Sequence, residues 1–122
     1  MGGITGGALS RQPIQIVSVE HEGKDEILNR FVRADGARCV ADERPIGVGQ
    51  ASSTKDGEVV PVATGGIVTV VAGAAIALSN GEKAVRTDAE GRAIAHVAGK
   101  PIAGYVIDAA AKKDVLVRCI LP

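Results

Sequence analysis

The sequence predicts an all-β fold: a small β-barrel or sandwich built from two duplicated halves, preceded by a flexible, glycine-rich N-terminal arm. Three observations carry this reading. Val and Ile together number 27 of 122 residues, against five Leu, one Phe, one Tyr and no Trp. β-branched side chains are stiff at χ1 and suit a pleated surface better than a helix. Sixteen Gly and five Pro punctuate the apolar runs, and the order of runs and turns occurs twice along the chain.

The first strand predicted is Ile14 to Val19, closed by the polar stretch Glu20 to Glu26. Arg30 to Arg33 follows, and Ala34-Asp35-Gly36-Ala37 is a hairpin turn because Asp-Gly readily takes positive φ. Arg38-Cys39-Val40 is the expected return strand. Pro45 to Gln50 reads as a bent strand, and Lys55-Asp56-Gly57 turns the chain into Glu58 to Val62. The second half repeats this order. Ile67 to Val71 leads through Ser79-Asn80-Gly81 into Lys83 to Thr87, and Asp88 to Gly91 turns into Arg92 to Ala95. Pro101 to Val106 comes next, then Lys112-Lys113-Asp114 and a last strand, Val115 to Leu121.

Superposed, the halves bring Arg33 onto Arg86, Asp35 onto Asp88 and, after a short insertion, Pro45-Ile46 onto Pro101-Ile102. The expected organisation is an arm over residues 1–13 and one β domain over residues 14–122, with pseudo-repeats 14–66 and 67–121. Neither half can bury a good core alone, so the two are expected to share one.

The arm reads MGGITGGALSRQP. Glycine leaves the unfolded chain entropic and offers nothing to bury, so ordering is expected only against a partner, with Ile4, Leu9 and Arg11 as grips. In the last strand, Val115, Val117, Cys119 and Leu121 share one face and Leu116, Arg118 and Ile120 the other. A strand apolar on both faces is either central in its sheet or covered by another subunit. Leu116 and Ile120 therefore join the arm residues as candidate contacts with a partner or another subunit.

Composition removes several function classes. Formal net charge is zero, which leaves no basic field for nucleic acid. Two aromatic residues make base stacking and a ring-lined ligand pocket poor readings. Met1 to Leu9 has neither a basic nor an apolar signal-peptide region. The longest apolar stretch, Gly65 to Leu78, is shorter than the roughly 20 residues a membrane helix needs. No membrane association is expected, and synthesis in a cytoplasm is.

Catalytic and cofactor motifs are not found. Gly23-Lys24 and Gly99-Lys100 lack the Ser or Thr of a phosphate-binding loop, and Gly47-Val48-Gly49 lacks the third glycine of a dinucleotide site. His21 sits in an acidic run read as a solvated loop, and His96 in a strand at a rim or subunit contact. Asp88-Ala89-Glu90-Gly91 has too few ligands for calcium. Cys39 and Cys119 lie in apolar strands and read as small buried hydrophobes, where a thiol is unreactive. Biotin- and lipoyl-carrier domains are also duplicated half-barrels, but neither hairpin tip here carries their modified Lys. The expectation is no enzyme, no metal and no cofactor.

From Gly65 to Leu121 the chain resembles the capsid cement, or decoration, proteins of tailed bacteriophages. The resemblance lies in Gly66-Ile67-Val68-Thr69-Val70, Ala72-Gly73-Ala74-Ala75-Ile76 and Val85-Arg86-Thr87-Asp88-Ala89-Glu90-Gly91-Arg92-Ala93. It continues in Pro101-Ile102-Ala103-Gly104-Tyr105-Val106, the Ala-rich turn at Asp108 to Ala111, and Asp114-Val115-Leu116-Val117. It implies a β-rich virion protein that binds the assembled major capsid protein as a homo-oligomer, a dimer or trimer, at a local symmetry axis and stabilises the shell. It carries no active site over. The alternative is a non-enzymatic soluble β-barrel binding module, or another virion or tail component.

Overall fold

The computed structural model describes residues 15–122, and all the regular structure in them is β. Eight strands follow in order: β1 (Gln15–Glu20), β2 (Phe31–Val32), β3 (Gly47–Gly49), β4 (Val59–Val71), β5 (Lys83–Thr87), β6 (Ala93–Ala95), β7 (Gly104–Val106) and β8 (Leu116–Leu121). The ladder runs β2-β3-β4-β8-β7-β5-β6, with β1 also on β4. Its two ends curl together, since Phe31 N donates to Gly91 O (2.8 Å) and Asp42 N to Thr87 O (3.0 Å). The result is a nearly closed, barrel-like sheet. The expected arm, with Ile4, Leu9 and Arg11, lies outside the described residues.

β4 differs from the sequence reading, which ended one strand at Val62 and began another at Ile67. The chain runs straight through, because a strand interrupted by Gly65-Gly66 can bend without leaving the ladder. Gly66 takes φ 93°, open to glycine without steric cost. The register with β1 skips a residue between Gln15↔Gly65 and Ile16↔Ala63, a bulge that sharpens the turn of the strand. The first half of β4 pairs with β1 and β3, and the second half with β8.

The pairings recur. In the first half, β1 lies beside the start of β4, that segment beside β3, β3 beside β2, and Val32 bridges Arg38. In the second, the end of β4 lies beside β8, β8 beside β7, β7 beside β5, and β5 beside β6. The anchoring hydrogen bonds are similar but one residue apart at the donor: Ile46 N to Val32 O at 2.9 Å, and Ala103 N, next after Ile102, to Val85 O at 2.8 Å. Arg38-Cys39-Val40 is reduced to that one bridge, because the segment turns away to meet β5. There buried Thr87 donates its hydroxyl to Val40 O (2.7 Å) and accepts from Glu43 N (3.0 Å).

Most of the core is one cluster of small residues, including Val48, Val70, Val85, Val106, Val117 and Cys119, with Phe31 as its largest member. Ile27, Val32, Val60 and Val62 form a second cluster within the first half. Small side chains let backbones approach closely, and Gly104 shows how closely. A Cβ there would lie 2.5 Å from Cys119 Sγ and 3.0 Å from Ile120 O. Gly104→Ala is therefore expected to cost about 1–3 kcal/mol by overpacking, read as a lower urea midpoint with an unchanged slope.

Candidate interaction surfaces

β8 alternates as its sequence requires. Val117 and Cys119 are 1% and 0% exposed, whereas Leu116 and Ile120 are 56% and 36% exposed on the outer face. The strand is central, between β4 and β7, so its outer face is uncovered rather than an edge. Cross-strand registry extends that face. Ile67, Ile120, Tyr105 and Ala84 form one row across β4, β8, β7 and β5, and Val71 stands opposite Leu116.

Arg118 lies on the same face, opposite Thr69. Asp108 neutralises it by accepting from Arg118 Nε (2.9 Å), Nη2 (2.8 Å) and the backbone N (2.8 Å). The side-chain bond from Arg118 is the main reason the Asp108 carboxyl is held down at about 2, and the same bond raises the guanidinium. A row of apolar side chains with a paired charge beside it can be buried against another protein at low desolvation cost.

A second feature lies where β8 ends. Pro45-Ile46 and Pro101-Ile102, matched in the sequence, line one open cleft of about 590 Å³ together with Thr64, Leu121 and Pro122. The cations immediately before the two prolines, Arg44 and Lys100, line it as well. Lys100 Nζ stands 3.8 Å from Asp42, whose other oxygen already holds Arg86 at 2.9 Å. Arg44 is exposed and forms no ion pair among the described residues.

The buried polar groups are structural. His21 is 1% exposed, correcting its reading as part of a solvated loop. Its backbone pairs with Glu58 and Gly57, which draws the ring inside, where Nδ1 lies 2.7 Å from Ser53 Oγ. Glu26 organises the same region. Burial pushes its carboxyl up, but hydrogen bonds from Ser52 and from the backbone of Leu28, Ser53 and Ile27 outweigh this and leave it lowered. His96 follows directly on β6, its backbone N donating to Ala84 O and its Nε2 to Lys100 O (2.8 Å). Among the described residues no group of three or more His, Cys, Asp or Glu could hold a metal ion.

A protein-family model described as "Phage cement protein" matches residues 16–121. The chain belongs to the phage cement protein family. As a member it is a capsid-associated structural protein, and it belongs with the virion. Among solved structures, the head fiber gp8.5 N base of bacteriophage phi29 has the same fold, with a TM-score of 0.67 at 19% identity. The match covers 88% of this chain and 95% of that one. Comparison with curated protein sequences gave no match.

Of the contact residues expected from the sequence, the structure brings Leu116 and Ile120 together on one face; Ile4, Leu9 and Arg11 lie outside the described residues. Sequence reasoning missed their neighbours Ile67 and Tyr105, because cross-strand registry between distant segments is not written locally. It also missed Arg44 and Lys100, although the repeated cation-Pro-Ile pattern was a signal available to find them.

Cys39 and Cys119 are fully buried. Burial pushes each thiol up to about 12, helped at Cys39 by Glu43. At neutral pH that leaves on the order of one thiol in 10⁵ ionised, and only the thiolate is nucleophilic. Native protein mixed with iodoacetamide is expected to label on neither Cys until denaturant is added, read by intact mass. Rapid labelling in the folded state would make one of them a reactive site.

Proposed function

We propose that this family member seats on the outer surface of the assembled capsid as a homo-oligomer, a dimer or trimer, and stiffens the shell without any catalytic step. The observation that carries the reading is the uncovered apolar face of β8, with its charge paired to Asp108, in a chain whose family is the phage cement proteins. Leu116 and Ile120 are the subunit contacts. The fold neighbour is the N base of a phage head fiber, in keeping with a structural role on a capsid. Support for the absence of catalysis comes from the buried thiols and the structural hydrogen bonding of His21 and Glu26. Each site is repeated many times over a symmetric shell, so individually weak contacts sum to useful stiffness.

Two further elements belong to this reading. Residues 14–66 and 67–121 are a duplicated unit, supported by the twofold recurrence of the pairings, and residues 1–13 form an arm gripping a capsid or neighbouring subunit through Ile4, Leu9 and Arg11. The protein is made in the host cytoplasm before it joins the virion.

Light scattering after size-exclusion chromatography is expected to give an oligomer mass at high micromolar concentration, and Leu116→Glu with Ile120→Lys to give a folded monomer. A wild-type monomer at that concentration would remove the subunit contact. A variant beginning at Ile14 is expected to melt like the full chain yet pellet with expanded capsids at least about tenfold more weakly, a loss of roughly 1.4 kcal/mol. Equal pelleting would reduce the arm to a passive end.

A further inference from the structure

We propose that the cleft between the two Pro-Ile segments is where the protein takes hold of its capsid partner, by receiving an acidic segment of the capsid protein with apolar residues between its carboxylates. This rests on the reading of the protein as a capsid-binding structural protein. It adds the surface and the chemistry of what binds there.

The cleft is built symmetrically. Arg44-Pro45-Ile46 enters β3, and Lys100-Pro101-Ile102 approaches β7, so each wall presents a cation, a proline and an isoleucine. The prolines have no N–H, and the amides of Ile46 and Ala103 already donate to Val32 and Val85. At those four positions the walls offer an incoming chain no backbone donor, although the amide of Ile102 donates to no group among the described residues and stays open. Recognition falls mainly to side chains. Ile46, Ile102 and Leu121 supply apolar surface, and Arg44 and Lys100 supply positive charge, one without an ion-pair partner among the described residues and the other sharing Asp42. At about 590 Å³ the cleft lies within the usual range for ligand sites, roughly 300–1,000 Å³.

Charge selects the occupant. This chain's own N-terminal segment, MGGITGGALSRQP, carries Arg11 and no acid, so it would bring a third cation to a site that already holds two. An acidic, apolar stretch of the capsid protein answers both features of the cleft at once. The outer face of β8, a different surface with its charge already paired, remains for contact between copies.

The test is pelleting of full-length protein with purified, expanded capsids of its phage, comparing wild type with Arg44→Glu/Lys100→Glu and with Lys112→Glu/Lys113→Glu. The second pair changes net charge equally, but in the exposed turn before β8, roughly 17 Å along the strand from Leu121. The cleft pair is expected to bind at least about tenfold more weakly with its oligomer mass and melting temperature unchanged, and the turn pair within about twofold of wild type. Wild-type binding is also expected to weaken as salt shortens the Debye length from about 10 Å to about 3 Å. Should the charge reversal disturb folding, Arg44→Gln/Lys100→Gln is expected to show the same loss to a smaller degree. Equal binding by wild type and a folded cleft variant would overturn the proposal and leave the capsid-binding reading standing. Equal weakening by both reversed pairs would do the same, by assigning the effect to overall charge. A change of oligomer mass on cleft reversal would overturn it by making the cleft a subunit contact. Wild type that pellets with no capsids at all would overturn the capsid-binding reading and this inference with it.

Discussion

Residues Val59–Val71 pair along one edge with two strands laid end to end, β1 against the first half and β8 against the second, meeting at Gly65-Gly66. Everything else hangs from that shared strand. β3 and β2 join the ladder through its first half, and β7, β5 and β6 through β8 on its second, with a bridge from Ala72 to Ala93 as a further tie. Neither half is a complete sheet, so neither can satisfy its backbone hydrogen bonds or cover its apolar face without the other. The contacts between Thr87 and the Val40–Glu43 segment close the ring from the far side.

A core of Val, Ala and Cys suits this arrangement and limits it. Small β-branched side chains hold single rotamers and allow the close approach seen at Gly104, so the barrel is stiff for its size. The same economy leaves few large side chains, and part of the larger apolar complement stands outside, at Leu116, Ile120 and the residues level with them. In an isolated chain that face only faces water. In a capsid-associated protein, such a face is available for contact with another protein.

The distribution of charge follows the same division. Zero net charge does not mean an absence of local fields. Arg118 is neutralised by Asp108 on the apolar face, Arg92 by Asp88 beneath a hairpin, and Arg86 by Asp42 at the junction of the halves. Arg44 stands apart from these pairs, at a cleft made twice over from the same three-residue pattern. Where neighbouring charges are paired internally, an unpaired cation such as Arg44 can act as a specific point of attachment rather than as part of a general electrostatic pull.

The sequence by itself determined the β class, the turns at Asp35, Gly57, Gly81, Glu90 and Asp114 and the inward and outward faces of the last strand, because those depend on β-branching, on Gly and Asp-Gly chemistry and on a period of two. The recurrence of Arg33 at Arg86 and of Pro45-Ile46 at Pro101-Ile102 stands in the sequence as a pattern, and the cement family was readable from its second half. Only the tertiary structure decided that β4 is one strand, since the bend at Gly66 depends on partners brought from residues 15 and 121. It also decided that His21 is buried, that Ile67, Ile120 and Tyr105 share a row, and that two distant cation-Pro-Ile segments form one cleft. Those facts are pairings between residues far apart in the chain, and local propensity carries no information about which strand will lie beside which.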